Sequence, residues 1–591
     1  MGQFERPSAW SLSDLFPEPA VEALDAALAE WEQAVREFEA MRAVLTESVS
    51  VPDFQAALAK LESIATLKSR IEAYADLYFS QDTQSTTALN LQDRVAQAAT
   101  DAGNRCLFFD LWFKELPEDV AAGLITQSGD AHYFLEGIRR FKPFTLTEAE
   151  EKIINSKDVN GIDALMNLYE MLTNRFAFTL EIDGEARSLN RDELSGYFSN
   201  PSPDVRERAY RELYRVYKEN FAILAQMYTH RARDWHAEGI ELRGYSSPIA
   251  ARNLDNDLPD SVVETLLSVC RRNVGLFQRY FRLKGLWLGL DQMRRYDIYA
   301  PLTASDKTFE YGTATQMVLD SYRAFSPDVE ALVQRIFEEH HIDSQMRNGK
   351  RGGAFCYTAI PELTPWVSIS YDRHAHDIAT LAHELGHAIH NMLANRHSVL
   401  TQQSSMPLAE TASVFGEMLL TDRLLRQEQD PSVRRELLAN ALDDAYLTVM
   451  RQAFFTIFEK DAHAMIAEGK TAEDLAEHYL GNLREQFGDA VQIGDEFKWE
   501  WIGVPHLYEA PFYTYAYSFG QLLVLALYQQ YRLEGDAFVP RYLRMLAYGG
   551  SEAPLKILSE AGLDVTSPAF WQGGFDFLEK MLTELEQLSE E

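Results

Sequence analysis

The segment 381–390, LAHELGHAIH, constrains most strongly what this chain can fold into. It contains His383, Glu384 and His387 in the order His-Glu-x-x-His. Read as a helix, the segment places both histidines on one face, with Cβ atoms about 5–6 Å apart. Apolar residues recur every three or four positions on the opposite side, namely Ile378, Leu381, Leu385, Ile389 and Met392. The fold must therefore bury one side of this helix and leave the other side to the histidine pair.

Two imidazoles held in this way are able to bind one Zn²⁺ ion together. Glu384 lies beside them in the sequence, where its carboxylate is placed to act as general base on a water molecule at the metal. The alternative is a helix that carries two capped or solvated histidines. The sequence thus predicts one zinc ion per chain, with His383 and His387 as ligands and Glu384 as a catalytic residue.

The segment 408–420, LAETASVFGEMLL, offers the missing acidic ligand. Glu410 and Glu417 are seven residues apart and share a face of a predicted helix that is otherwise largely apolar. Carboxylates on the inward side of such a helix are costly to bury unless they are paired or bind a metal. We predict that Glu410 is the third zinc ligand. Glu417 is predicted to accept a hydrogen bond from the other ring N–H of a ligand histidine, with a solvated or ion-paired side chain as the alternative.

A third cluster lies in VPHLYEAPFYTYAYSFG, residues 504–520. His506 is followed there by four tyrosines, Tyr508, Tyr513, Tyr515 and Tyr517. Hydrolysis of a carbonyl compound builds negative charge on the carbonyl oxygen, and Tyr O–H and His N–H groups are suitable donors to that charge. Without a metal site nearby, an aromatic stripe of this kind is more often part of a core.

Composition excludes several other functions. The chain of 591 residues is long enough for several domains, and its net charge of −35 lacks the basic footprint of a nucleic-acid-binding protein. The three cysteines, Cys106, Cys270 and Cys356, are far apart and suggest neither a disulfide framework nor a metal site. The N-terminus does not have the pattern of a signal peptide, and no apolar run reaches the length of a membrane span. We expect a cytoplasmic protein with no membrane or nucleic-acid partner.

Hydrophobic periodicity predicts a mainly helical chain. The predicted helices cover residues 18–46, 52–80, 87–113, 148–156, 160–174, 204–239, 258–290, 314–340, 408–427, 431–468, 472–487, 516–533, 537–548 and 574–588. Asp183-Gly184 predicts the turn of a β-hairpin. Two short β-rich segments, GAFCYTAI and PWVSISYD, directly precede the histidine-bearing helix and predict a small sheet beside it. An exposed strand there could pair with an extended peptide.

Taken together, these motifs resemble the thimet-oligopeptidase-like zinc metallopeptidases, and within them the oligoendopeptidase F branch. The resemblance rests on AHELGHAIH at 382–390, PLAETASVFGE at 407–417 and PHLYEAPFYTYAYSFGQL at 505–522. GKRGGAFC at 349–356 and AYGGSEAPLKILSEAGLDVTSP at 547–568 support it. It is strongest from about residue 200 to the end and weakest before about residue 115.

The resemblance implies a two-lobed, almost all-helical zincin-type fold with a deep central channel and short peptides as substrates. It implies that His383, His387 and Glu410 bind zinc and that Glu384 is the general base, which are the roles predicted above. It also implies that His506 and Tyr515 stabilise the oxyanion and that Tyr508 and Tyr513 bind substrate. The segment after His506 is shorter than in the thimet branch and lacks that branch's glycine-rich loop, so Tyr508 stays an alternative donor.

The hydrophobic pattern and the resemblance together predict three regions. Residues 1–115 form an N-terminal helical hairpin or bundle, residues 116–200 a segment of the oligoendopeptidase F type with a β-hairpin, and residues 201–591 the catalytic domain. The predicted activity is endopeptidase action on oligopeptides. The alternatives are a dipeptidyl- or metallocarboxypeptidase of similar fold, which needs a cationic group for the substrate carboxylate, and a non-catalytic peptide-binding protein. The sequence does not indicate an oligomeric state.

Overall fold

The computed structural model describes residues 6–17, 20–182, 184–302 and 308–588. The chain is mainly helical, and the described residues contain seven short strands in three small sheets, which confirms the predicted fold class. Two compact units divide the chain, and each is assembled from separate stretches of sequence. The first unit comprises residues 1–142, 307–427 and 530–563, and the second comprises residues 143–306, 428–529 and 564–591. None of the described helices is both long and apolar enough to cross a membrane.

The described residues of the N-terminal part of the first unit include six α-helices. They are α1 (Ala20–Ala40), α2 (Val51–Gln81), α3 (Thr86–Cys106), α4 (Phe108–Glu115), α5 (Glu118–Thr126) and α6 (His132–Arg140). The three predicted long helices are present, but the third is divided at Leu107. Ser50 caps α2 by accepting a hydrogen bond from the backbone N–H of Asp53 at 3.2 Å. Aromatic and aliphatic side chains of these helices, such as Trp31 and Phe38, form one buried core.

The second unit begins with helices that flank a hairpin. The elements are α7 (Glu148–Asn160), α8 (Ile162–Thr173), β1 (Phe178–Ile182), β2 (Glu185–Leu189), α9 (Arg191–Ser195), α10 (Pro203–Glu219), α11 (Phe221–His236), α12 (Pro248–Asp255), α13 (Asp260–Arg272), α14 (Val274–Trp287) and β3 (Met293–Arg294). The antiparallel pairing of β1 with β2 confirms the hairpin, with Gly184 at φ 82° in its turn; Asp183 lies outside the described residues. The predicted helices 204–239 and 258–290 are each divided, at Asn220 and Asn273.

The first unit resumes with the segment that carries the histidine motif. Its elements are α15 (Tyr311–Phe325), α16 (Pro327–Glu338), β4 (Ile342–Asp343), β5 (Phe355–Tyr357), β6 (Trp366–Ser368), α17 (Ala375–Leu393), α18 (Met406–Ala409) and α19 (Thr411–Gln427). The sheet has the order β4-β6-β5, with β4 parallel and β5 antiparallel to β6. This confirms the two predicted strands next to the motif helix, whereas β4 was not predicted.

The rest of the chain is again helical. Its elements are α20 (Pro431–Ala445), α21 (Arg451–Ala467), α22 (Ala472–Phe487), β7 (Val491–Gln492), α23 (His506–Glu509), α24 (Tyr515–Glu534), α25 (Val539–Leu546), α26 (Pro554–Glu560) and α27 (Pro568–Gln587). A π-helical turn, Tyr446–Met450, joins α20 to α21, so the chain is continuously helical from Pro431 to Ala467, close to the predicted span 431–468. A second π-helical turn, Ala237–Leu242, extends α11. β7 pairs in parallel with β3.

Helices α17 and α19 pack with their backbones in close contact, because each has a glycine at the point where they meet. A Cβ atom on Gly386 would overlap the carbonyl oxygen of Ala412, and one on Gly416 would lie 3.0 Å from the carbonyl oxygen of Ala382. The buried hydroxyl of Tyr322 donates to the same Ala382 carbonyl at 2.6 Å. This crossing holds the two segments that carry the histidines and the glutamates against each other.

We predict that Gly386→Val lowers the thermal midpoint, because the new side chain must push the two helix backbones apart, at a cost of about 1–3 kcal/mol or more. Gly137→Ala is the control, since Gly137 lies in α6 with open space around it. That change should raise stability by up to about 1 kcal/mol through helix propensity. Differential scanning calorimetry of both variants measures the effect, and an unchanged midpoint for Gly386→Val would contradict the crossing as described.

Candidate active site and metal centre

Helix α17 orients the histidine motif as the sequence predicts. Its N-terminus is fixed by Asp377, whose carboxylate accepts hydrogen bonds from the backbone N–H groups of Asp372 at 2.8 Å and His374 at 2.9 Å. The predicted apolar stripe, from Ile378 to Met392, is buried. The side chains of His383 and His387 lie on the other side and are 26 % and 22 % exposed. Burial of one face of the helix thus leaves both imidazoles accessible to an ion.

Three potential ligand atoms form a nearly equilateral triangle. Nε2 of His383 and Nε2 of His387 are 3.2 Å apart, and each lies 3.4 Å from Oε2 of Glu410. Tetrahedral zinc with bonds of about 2.0–2.1 Å places neighbouring ligand atoms about 3.3–3.4 Å apart. The residues present therefore fit a zinc ion, and they leave one tetrahedral position for water or substrate.

Glu410 lies between two helices, which differs from the single helix face predicted for it and Glu417. It ends α18 and precedes Thr411, the first residue of α19, with φ −85° and ψ 0°. Its backbone carbonyl accepts from the N–H of Val414 at 3.2 Å, and its Oε2 accepts from the hydroxyl of Ser413 at 2.7 Å. The carboxylate is thus held by the first turn of α19.

Glu417 contacts Nδ1 of His383 through a carboxylate oxygen. This contact favours the tautomer in which Nδ1 carries the hydrogen, which leaves Nε2 with a lone pair for a metal. Burial alone would lower the pKa of His383, but the hydrogen bonds to Glu410 and Glu417 raise it to about 10. Burial alone would raise the pKa of Glu410, but its hydrogen bond to His383 and the charges of both histidines lower it to about 2.

Glu384 is almost completely buried, with 6 % of its surface exposed. Burial raises the pKa of its carboxyl to about 7, against the smaller opposing effect of His383. A carboxyl group with a pKa near neutrality is suited to both taking up and releasing a proton. Its place next to His383 in α17, and its electrostatic interaction with His383 and Glu410, make it the candidate general base.

The remaining histidines near the motif do not join the ligand group. His390 is buried, and burial lowers its pKa to about 4. His374 and His376 are exposed at the start of α17. Among the described residues of this segment, only His383, His387 and Glu410 bring their ligand atoms together.

In the second unit, His506 forms a half-buried cluster with two of the four tyrosines. Its ring is parallel to that of Tyr513, with centroids 5.7 Å apart, and its Nε2 lies 3.3 Å from the hydroxyl of Tyr517. Tyr513 and Tyr517 meet edge to face at 5.1 Å. Burial, and secondarily the charge of Arg451, lowers the pKa of His506, so the ring is neutral at neutral pH. This cluster presents N–H and O–H donors at a partly exposed surface.

The other two tyrosines are core residues, which corrects two predictions. Tyr508 is fully buried, stacks on Tyr169 with centroids 3.9 Å apart, and donates its hydroxyl to the carbonyl of Leu224 at 3.3 Å. Tyr515 is also fully buried, and its hydroxyl accepts a hydrogen bond from the amide of Asn256 at 2.8 Å. Neither side chain shares the half-exposed surface of His506. This argues against Tyr508 as a substrate contact and against Tyr515 as the oxyanion donor.

The spacing of the tyrosines contains the signal that separates them. Tyr513 lies two residues before α24 and Tyr517 lies in its first turn, and the contact between their rings places both on the same face of the segment. Tyr515 lies between them and points away from that face. Among the four tyrosines, only Tyr513 and Tyr517 are four residues apart. A sequence analysis that favoured this spacing would have selected them.

Several residues that the sequence analysis missed fix the loop between His506 and α24. Phe512 has φ 59°, a left-handed conformation that costs a non-glycine residue about 1–2 kcal/mol. Its N–H donates to the buried carboxyl of Glu459 at 2.9 Å. Arg252 donates to the carbonyl of Pro511 at 3.2 Å, and Arg231 donates to that of Tyr508 at 3.0 Å. These residues lie far away in sequence and belong to no local motif, so only the fold reveals them.

Comparison with known proteins agrees with this geometry. Residues 197–577 match the family described as Peptidase family M3, and residues 112–178 match the description Oligopeptidase F. The chain belongs to peptidase family M3. As a member of this family it is a metalloendopeptidase, and the predicted resemblance to the oligoendopeptidase F branch is confirmed.

The most similar relatives cover almost the whole chain. Oligopeptidase PepF from Bacillus subtilis (strain 168) is 26 % identical over 592 residues, which span 98 % of this chain and 87 % of that protein. A solved chain from Chlamydophila abortus superposes with a TM-score of 0.88 at 24 % identity, covering 100 % of this chain and 99 % of the other. Oligoendopeptidase-F from Enterococcus faecium superposes with a TM-score of 0.74 at 24 % identity, covering 96 % and 99 %. The fold of these solved structures thus extends over nearly the whole of this chain.

We predict that Glu417→Gln weakens zinc binding by about 10–100-fold, because the amide no longer fixes the tautomer of His383 as a carboxylate does. Competition with a chromophoric chelator measures the zinc dissociation constant. Glu338→Gln is the control, since Glu338 is exposed at the end of α16. Equal affinities of the wild type and Glu417→Gln would show that the Glu417 contact does not support the ligand.

A second prediction concerns the buried carboxyl of Glu459. Burial raises its pKa well above the usual range, so the folded state holds a proton that the unfolded state releases above pH 4.5. Its contribution to stability is therefore fully present below that pH and declines as pH rises toward the folded-state pKa. Gln is a neutral replacement that can still accept from the N–H of Phe512.

Glu459→Gln should accordingly gain thermal stability relative to the wild type as the pH rises from 5 to 8. Calorimetric midpoints of both proteins across this range measure the difference. Glu459→Leu removes the acceptor and should lower the midpoint at every pH. A difference between wild type and Glu459→Gln that does not change with pH would contradict the predicted protonation.

Proposed function

We propose that this metalloendopeptidase uses one zinc ion, held by His383, His387 and Glu410, to hydrolyse internal bonds of short oligopeptides. The observation that carries the proposal is the triangle of ligand atoms with edges of 3.2, 3.4 and 3.4 Å, beside the buried carboxyl of Glu384. Zinc bound there supplies a Lewis acid for the scissile carbonyl and lowers the pKa of a water molecule. The chain's own residues supply the proton transfers and the orientation.

Glu384 is proposed as the general base and acid. Its carboxylate takes a proton from the attacking water and then delivers that proton to the leaving amine nitrogen. Burial raises its pKa to about 7, so that both steps are favourable near neutral pH. Because burial also holds the side chain in place, little conformational freedom is lost when the reaction begins.

Glu417 and Ser413 are proposed to orient the ligands. Glu417 holds the His383 ring through Nδ1, and the hydroxyl of Ser413 donates to Oε2 of Glu410. Supports of this kind fix ring orientation and the direction of the carboxylate lone pair before metal and substrate bind.

His506 and Tyr517 are proposed as donors to the oxyanion, with Tyr513 as a substrate contact. The support is the resemblance of residues 505–522 to the family and the local geometry of the cluster. A neutral imidazole retains one N–H donor, and the Tyr517 hydroxyl supplies a second. Such donors typically contribute about 10²–10³-fold in rate. Tyr517 replaces Tyr515 in this proposal because Tyr515 is buried and bound by Asn256.

The proposed substrate is an extended peptide of limited length. Relatives that match most of this chain carry the names oligopeptidase and oligoendopeptidase F. Within the first unit, β5 is an edge strand of the sheet that contacts α17. An edge strand beside the motif helix is able to bind a peptide backbone by strand addition.

The test uses a peptide of about ten residues that is acetylated and amidated at its ends. The wild-type enzyme should cut it internally, lose activity with a chelator and regain activity with Zn²⁺. Glu384→Gln should bind zinc normally but lose about 10²–10⁴-fold in kcat, since proton transfer in the transition state is removed. Metal content and product masses are measured on the same samples.

Glu338→Gln serves as the matched control and should retain full activity. Retained cleavage by zinc-loaded Glu384→Gln would overturn the role of Glu384. Failure to cut the blocked peptide, with cleavage of the same peptide when its ends are free, would favour the exopeptidase alternative. Activity that is indifferent to chelator would exclude the metal mechanism.

A further inference from the structure

A second group of metal-ligating side chains lies in the first unit and shares no residue with the zinc site. Ligand atoms of Asp14, Glu339 and His341 lie within 4.8 Å of one another. They come from a turn in the N-terminal segment, from the residue that closes α16, and from the residue that leads into β4. Three separate parts of the chain thus converge on one point.

His341 is held in the way that is typical of a metal ligand. Its side chain is completely buried and stacks on Trp366 with ring centroids 3.9 Å apart. Nδ1 lies 2.8 Å from the carbonyl oxygen of Thr364. A carbonyl oxygen only accepts hydrogen bonds, so Nδ1 must carry the hydrogen, and Nε2 of the neutral ring presents a lone pair. Metal-binding histidines commonly donate their second ring N–H to a backbone carbonyl in this manner.

The lone pair of Nε2 faces a carboxylate. Nε2 lies 3.3 Å from Oδ2 of Asp14, without hydrogen-bond geometry to any described residue. Two electron-rich atoms at this distance repel each other unless a proton or a cation lies between them. A cation between them would satisfy the buried lone pair of Nε2 and the carboxylate of Asp14 together.

The surroundings also favour a cation. Helix α16 ends here, with the N–H of His341 bonded to the carbonyl of Ile336 at 3.0 Å, and the C-terminus of a helix carries partial negative charge. Arg335 donates to Oε1 of Glu339 at 2.7 Å, which offsets one of the two carboxylate charges of the group. The side chain of Asp14 is 48 % exposed, so an ion has access from solvent, while its neighbours Leu15 and Phe16 are buried.

We propose that Asp14, Glu339 and His341 bind a divalent transition-metal ion, with water completing its coordination. One imidazole nitrogen and two carboxylate oxygens are ligands that suit Zn²⁺, Mn²⁺ or Co²⁺. The ion fastens the N-terminal segment to the sheet that adjoins the catalytic helix. The same segment already follows β4, since Ser8 accepts from the N–H of Ser344 at 2.8 Å and Ser11 accepts from Trp366 at 2.8 Å.

Equilibrium dialysis of the full-length protein against Zn²⁺, with metal counted by mass spectrometry, tests the proposal. The wild type should bind two zinc ions per chain and Asp14→Asn only one. Glu22→Gln, which alters an exposed carboxylate on α1, is the control and should bind two. One zinc per chain in the wild type, or two in Asp14→Asn, would overturn the site.

A second variant separates this site from the catalytic one. His383→Ala/His387→Ala should still bind one zinc ion and should show a higher thermal midpoint with Zn²⁺ than without. Adding Asp14→Asn or Glu339→Gln to that double variant should abolish both the zinc binding and the rise in thermal midpoint. Because two different substitutions are used, the test does not depend on the correct folding of a single variant. Zinc-loaded Asp14→Asn should still cleave the blocked peptide. If neither the zinc-loaded wild type nor Asp14→Asn cleaved the peptide, that result would count against the proposed function and not against this site.

Discussion

The approach of α17 and α19 at Gly386 and Gly416 is the constraint on which the candidate site depends. Side chains at these positions would overlap the backbone of Ala412 or crowd that of Ala382. Without that proximity, Glu410 and Glu417 could not reach the histidines of the neighbouring helix. The buried Tyr322 hydroxyl, bound to the carbonyl of Ala382, adds a third element to the contact. The placement of the candidate metal ligands thus depends on the absence of side chains at two glycines.

Much of this site was predictable because its signals are local. The order His-Glu-x-x-His, with apolar residues at helical spacing, determines both the exposed and the buried face of α17. The small sheet was predictable from β-rich segments bounded by prolines. Both carboxylates lie against the histidines that the sequence pointed to, although Glu410 lies at a helix junction and not within one helix. A junction of this kind depends on backbone hydrogen bonds that residue periodicity does not encode.

Features that depend on distant contacts were not predictable. The breaks at Asn220 and Asn273 interrupt apolar patterns that continue through them, so the patterns predict single long helices. Glu459 supports Phe512 across 53 residues of sequence, and Asn256 reaches Tyr515 across 259. Four tyrosines in one motif look equivalent in sequence, but tertiary packing buries Tyr508 and Tyr515 and leaves Tyr513 and Tyr517 beside His506.

The N-terminal segment also runs along an edge of the sheet that β4 would otherwise expose. An uncovered edge strand offers unpaired N–H and C=O groups to the edge of any other chain and so promotes aggregation. Here the backbone oxygen of Ser8 accepts from Ser344, the residue after β4, and its hydroxyl donates to the carbonyl of Ile342 within β4. Residues 8–11 therefore cover the β4 edge of the sheet. Deleting these residues would expose the edge strand β4 and promote aggregation, without altering any residue of the candidate metal centre.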